Sequence, residues 1–258
     1  MSGESSLYKR FFSGGKRNGE RKSVGGSRNM NMNTNTNFLQ LLNDKKGFLG
    51  LVFGNLILQL GITYYVMTHY NTDTGTNKSD KNNNKSNNST AYWLSIIGSF
   101  VCILILAFVP MSPLLKFCLF SLFSGLLGIT LSFLQNVTDP ALIHMAIFGT
   151  MTIFGAMLVL GALLVMVGFN LGIKFATFLF FSLLFLIITQ VVLLFTGAFP
   201  IHVKLISIAG LFLFSLYIVY DTNHILQENY AGDFITASLD YYLDIVNIFV
   251  DLIGFYRN

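Results

Sequence analysis

Seven apolar runs succeed one another along the chain, at residues 47–69, 91–109, 114–135, 141–167, 174–197, 203–220 and 236–256. A helix rises about 1.5 Å per residue and the hydrocarbon core of a bilayer is about 30 Å thick, so about 20 apolar residues make a spanning helix. In lipid every backbone polar group must be satisfied within the protein, and uninterrupted runs of this length satisfy theirs as helices. The expected fold is therefore an all-α polytopic membrane protein with seven transmembrane helices. All four prolines (Pro110, Pro113, Pro140 and Pro200) fall in the joints between runs, where a missing backbone donor does least harm. Tyr64, Tyr65, Tyr70, Tyr92 and Trp93 cluster at the ends of the first two runs, as an interfacial belt does. Composition agrees: only 11% of the 258 residues are charged, against about a quarter in a soluble domain. Disorder over most of the length is excluded by the 53% of hydrophobic residues, and a disulfide scaffold by the presence of only Cys102 and Cys118.

Charge is sorted by position. Residues 1–46 are rich in Gly, Ser and Asn and carry nine bases against Glu4, Glu20 and Asp44. They offer too little apolar surface to offset the entropy of ordering, so they read as a disordered basic tail. Bases near spans favour the cytosolic side, which places the N-terminus in the cytosol and, by alternation, Lys116 and Lys174 there too. The transmembrane domain follows as 47–256, with an Asn-rich lumenal loop at 71–90. That loop holds Asn-x-Ser/Thr acceptors at Asn77, Asn84, Asn87 and Asn88, which are glycosylation candidates or chance matches in a solvated low-complexity stretch. Small residues four apart, Ser121/Gly125, Ser124/Gly128/Ser132 and Gly168/Gly172, are spaced for close helix approach. His144 and His202 stand near span ends without a second ligand at metal-site spacing.

The C-terminal stretch reverses the charge sign. Asp221 closes the sixth run, and the last run places Asp240, Asp244, Asn247 and Asp251 at intervals of four, three and four. At about 100° per residue these four fall on one helical face. A carboxylate at bilayer depth costs about 2.5–3.5 kcal/mol on the insertion scale, so the stripe must face protein, water or a partner. The other reading is an amphipathic helix lying on the membrane, although such helices usually present Lys and Arg. Consecutive helices with a short connection are antiparallel neighbours, so Asp221 approaches Asp240 and Asp244. Two carboxylates sharing a low-dielectric site cannot both ionise cheaply; they hold a proton between them, a latch that opens when the proton leaves. They also present the hard oxygens that calcium takes, at a transient site and not a storage cage. His224, three residues after Asp221, is either a proton-tuning neighbour or a solvated helix-end histidine. Intramembrane aspartyl proteolysis is disfavoured, because Gly232-Asp233 lacks the flanking Gly of such a signature and lies in the connection. Neither an enzymatic activity, a resident cofactor nor a nucleic-acid partner is expected.

The segments Phe214-Ser-Leu-Tyr-Ile-Val-Tyr-Asp-Thr-Asn-His-Ile225 and Ala237-Ser-Leu-Asp-Tyr-Tyr-Leu-Asp-Ile-Val-Asn-Ile-Phe249 resemble the last two spans of the Bax inhibitor motif family of transmembrane proteins, in its Lifeguard-type branch. Gly125-Leu-Leu-Gly-Ile-Thr-Leu-Ser132 is a weaker match in the third span. The resemblance implies a seven-helix bundle with the last helix central, a pH-sensitive calcium leak and suppression of cell death at endoplasmic reticulum or Golgi membranes. It carries the family's paired aspartates onto Asp221 and Asp244, makes Asp240 an extra acid, and leaves the family's second-span arginine without a counterpart, with Lys116 the nearest base. Calcium, protons and the bilayer are the expected partners, and other membrane regulators of cell death are further candidates. A non-conducting regulator acting through protein contacts is the alternative.

Overall fold

The structure, a computed structural model, describes residues 34–70, 81–196, 200–228 and 230–257. Among them all regular structure is helical: α1 (Thr34–His69), α2 (Lys81–Phe108), α3 (Pro113–Asn136), α4 (Pro140–Met166), α5 (Ile173–Thr196), α6 (Pro200–Gln227) and α7 (Phe234–Arg257). A single 3-10 turn, Tyr230–Gly232, stands between α6 and α7. The joints obey local chemistry. Ser112 and Asp139 cap α3 and α4 by accepting from the Leu115 and Ala141 amides, each with proline in the first turn, where its fixed φ suits a helix start. Beyond α4, Gly168 takes φ +82° and the Gly168 and Phe169 amides turn back to Val165 and Leu164 carbonyls, the ending that favours glycine. Gly168 and Gly172 therefore belong to this joint and not to a helix-packing face as their spacing predicts. Gly128 does serve packing: a Cβ there would stand 2.8 Å from the Thr63 carbonyl and from Val66, so α3 meets α1 nearly backbone to backbone.

Three boundaries differ from expectation. Among the described residues α1 is helical from Thr34, so part of the expected tail forms its first turns. Within the Asn-rich stretch the helix α2 begins at Lys81; Asn77 lies outside the described residues, and Asn84, Asn87 and Asn88 fall on α2 backbone. Polar composition hid both starts, because the apolar period begins only where a helix enters lipid. The helix α6 runs on through Asp221 to Gln227, leaving a connection of 228–233 in place of one of about 15 residues.

Six helices, α1 to α6, are long and apolar enough to cross a membrane. The last helix, α7, has 24 residues and falls short of the same measure of apolar length, because Asp240, Asp244 and Asp251 interrupt its apolar run. Protein covers it instead. It packs against α1, α4 and α6, and 12 of its residues are buried. Tyr241 and Tyr242, the largest side chains with almost no exposure, anchor it. By contrast α5 packs chiefly against α6 and stands at the side of the bundle. The outward faces are apolar, with Leu114, Phe148 and Phe185 73–74% exposed, a surface that suits lipid and not water.

Candidate functional site

The stripe on α7 faces inward. Asp240, Asp244, Asn247 and Asp251 all line one cavity of about 540 Å³, together with Asp221, Tyr217 and Tyr220 of α6, Tyr230 of the connection and Leu183, Leu186, Ile187 and Gln190 of α5. Asp221, Asp244 and Asp251 are 4–8% exposed, so the acids belong to the protein interior and not to a surface helix in water. The Asp221 and Asp244 carboxyl groups lie within hydrogen-bonding reach of each other. The Oδ2 atoms of Asp244 and Asp251 are buried without a hydrogen-bond partner among the described residues. No three His, Cys, Asp or Glu side chains among those residues converge as a metal cage.

The pairing of Asp221 with Asp244 follows from how α6 and α7 register. Residues flanking Asp221 are satisfied elsewhere: the Thr222 and Tyr241 hydroxyls lie 2.8 Å apart, and Asn223, fully buried, donates to the Phe169 carbonyl (2.8 Å) and accepts from the Leu171 amide (3.0 Å). Asn223 thereby ties the α4–α5 joint to α6. On the far side of α7, the Tyr242 hydroxyl meets Thr63 at 2.6 Å, and the Tyr242 ring stands edge-on to Phe120 at 5.2 Å. The consecutive tyrosines of the motif thus grip opposite sides of the bundle while the flanking acids at 240 and 244 point to the cavity.

A polar seam absent from the sequence expectations completes the grip. Asn55, Gln59 and Thr63 recur every fourth residue on α1 and are all buried. Asn55 Nδ2 donates to Ser238 Oγ (2.6 Å), and Gln59 Nε2 to Asn55 Oδ1 (3.2 Å) and Ser121 Oγ (3.1 Å). The same four-residue period that marked the α7 stripe marks this one, without charge to draw notice.

One end of the cavity lies at the α6–α7 connection. Tyr230, in the left-handed region at φ 36°, donates its hydroxyl to Asp240 Oδ2 at 2.8 Å. Burial first, then the charges of Asp240 and Asp221, push the Tyr230 phenol up, so it stays a donor. His224 is half-buried: its ring stacks on Tyr220 at 5.6 Å and meets Tyr230 edge-on at 5.0 Å, and its Nδ1 lies 3.4 Å from Glu228 Oε2. The carboxylate facing it is Glu228 and not Asp221.

Lys116, the nearest base to the missing arginine, does not reach the aspartate pair. Its Nζ donates to Asp233 Oδ2 and Thr236 Oγ1, across the start of α7. Asp233 also caps α7, accepting the Thr236 amide at 3.0 Å and hydroxyl at 2.7 Å. Burial alone raises the Asp233 carboxyl, but hydrogen bonds from Lys116 and Thr236 and the Lys116 charge outweigh it and hold it below its ordinary value. Lys45 of α1 donates to the Ile225 carbonyl (2.8 Å) and to that of Glu228, where the end of α6 leaves carbonyls unpaired.

With this geometry in hand, the comparison with known proteins is decisive. The model of the family described as "Inhibitor of apoptosis-promoting Bax1" matches residues 45–258, which is most of the chain and includes every residue of the cavity. The chain belongs to this family. Among similar proteins, an uncharacterized Helicobacter pylori protein is 36% identical over 75 residues, 29% of this chain and 32% of that protein. Bax inhibitor 1 of Schizosaccharomyces pombe is 28% identical over 164 residues, 62% of this chain and 60% of that protein. Protein LIFEGUARD 1 of Arabidopsis thaliana is 30% identical over 81 residues, 31% and 34% of the two chains. The chain therefore matches between about a third and three-fifths of the length of these relatives.

Proposed function

We propose that this protein is an endomembrane calcium leak path of the Bax inhibitor family, with the Asp221–Asp244 pair as its proton-sharing gate. The observation that carries the reading is the contact of two buried carboxyl groups in the wall of a cavity that also holds Asp240 and Asp251. Carboxylates at this depth are costly to a fold and mark ion or proton paths. With a proton shared, the pair is a single negative charge and α6 stays against α7; when the proton leaves, two like charges at short range drive the helices apart. The outer wall is α5, which packs chiefly against α6, so the cavity widens at small cost.

In this reading α7 is the central element of the bundle, the N-terminus and the Lys45, Lys116 and Lys174 rim face the cytosol, and calcium leaves an endoplasmic reticulum or Golgi lumen. Suppression of cell death is the consequence. It is supported by family membership and by the name of the fission-yeast relative, Bax inhibitor 1.

The test is calcium release from proteoliposomes across pH. The parent protein should conduct with a pH-dependent rate, and Asp221→Asn and Asp244→Asn should each change the rate and flatten its pH response. Unaltered flux in both variants sinks the mechanism. No flux from the parent, joined to cell protection that survives both substitutions, assigns the protein to contact-mediated regulation instead.

A further inference from the structure

Asp251 lies at the end of the cavity away from Tyr230, two turns beyond Asp244. Seven residues of helix separate these acids by about 10 Å along the axis, too far for one ion to bridge them. The Asp251 side chain is 8% exposed and its Oδ2 is both buried and unpartnered among the described residues. The fold is shaped around this carboxylate: on the facing helix, a Cβ at Gly210 would stand 2.1 Å from Asp251 Oδ2. Gly210 is the notch that admits the acid, and any side chain there displaces it. An ionised carboxylate without a counter-charge opposes folding. A site built to hold one therefore serves a ligand, and Asn247 and Gln190, which carry amide oxygens, line the same cavity.

We infer that Asp251 forms a second cation station in the cavity, separate from the Asp221–Asp244 pair, that takes a hydrated divalent cation. Hard divalent ions accept carboxylate and amide oxygens and keep water for the rest of their shell, and a lone carboxylate makes a weak site from which the ion can leave. Two weak stations in line let an arriving ion displace the one ahead. The inference deepens the leak-path reading and rests on it.

The test is calcium binding to the full-length protein in detergent, measured by equilibrium dialysis against radioactive calcium chloride. Asp251→Asn is close in shape and removes a buried charge, so it should fold at least as well as the parent, which a thermal melt verifies. It should bind one equivalent of calcium fewer than the parent, whereas Asp244→Asn should retain that equivalent. Gly210→Ala keeps every carboxylate but fills the notch, and in folded form it should lose the same equivalent. Unchanged stoichiometry in Asp251→Asn, or no calcium bound by the parent, overturns the station. The two readings fail separately, because absent flux in liposomes removes the leak path while dialysis still decides whether Asp251 holds an ion.

Discussion

The hydroxyls of Thr222 and Tyr241 meet at 2.8 Å in the buried contact of α6 with α7. Thr222 adjoins Asp221 and Tyr241 precedes Asp244 by one turn, so this one bond fixes the register that brings the two carboxyl groups together. The acids are thus brought together by neutral neighbours, and in the proposed gate this contact must yield when deprotonation drives α6 from α7.

Removing the bond by Tyr241→Phe should therefore cost little stability and disturb the acids. Interhelical hydrogen bonds in membrane proteins average about 0.6 kcal/mol by double-mutant cycles. A cycle with Thr222→Val, read by unfolding in mild detergent, should return a coupling of that size. Tyr241→Ala also empties a packed site and should cost about 3–5 kcal/mol.

The close approach of α4 to α6 makes Gly161 and Gly125 a matched pair of opposite outcomes. A Cβ on Gly161 would lie 2.6 Å from Thr222 Cβ and 2.8 Å from the Val219 carbonyl, whereas one on Gly125 meets nothing within 4 Å. Gly161→Ala should destabilise by about 1–3 kcal/mol through overpacking. Gly125→Ala should be neutral or stabilising by up to about 1 kcal/mol. Thermal melts of the two variants side by side decide it.

The Lys116–Asp233 pair predicts a pH dependence with a definite sign. Because the folded carboxyl is held below its ordinary value, its stabilisation is fully present above the ordinary carboxylate value and is lost as pH falls through the lower folded value. Asp233→Asn keeps an oxygen to cap α7 but removes the charge. It should melt below the parent at neutral pH, and the gap should close on acidification; a gap independent of pH argues that the cap alone matters.

Asn223 should be among the least replaceable residues outside the cavity. Its amide serves the Phe169 carbonyl and the Leu171 amide while fully buried. Asn223→Leu leaves the Leu171 amide unsatisfied, while the Phe169 carbonyl keeps its bond from Gln227 Nε2 (3.0 Å), and should cost about 1–3 kcal/mol. Hydrogen exchange should localise the damage to the α4–α5 joint.

The parts of this arrangement legible from sequence are those written in a helical period against apolar surroundings. The acids of α7 stand out because charge in lipid is expensive, and their shared face followed from spacing alone. Asn55, Gln59 and Thr63 carry the same period but are uncharged, so nothing marked them as buried partners of α3 and α7. The end of α6 was misplaced because Asp221, Thr222 and Asn223 read as a polar stop, whereas their partners come from Tyr241, Phe169 and Leu171, all remote in sequence. The destinations of Lys45 and Lys116 were illegible for the same reason: a base at a helix end announces its charge but not which neighbouring terminus it will reach.

The placement of those two lysines makes the bundle mechanically unequal at its two rims. Lys45 ties α1 to the end of α6, and Lys116 ties α3 to the start of α7. Such charge-assisted bonds are worth about 1.5–3 kcal/mol each. The opposite rim is held by ring contacts, Lys204 over Phe255 at 4.9 Å and Phe133 against Tyr70 and Tyr92, each worth about 0.5–1.5 kcal/mol. The lysine collar should therefore act as a handle about which the helices splay like tines, with the end where Asp251 sits the easier to open.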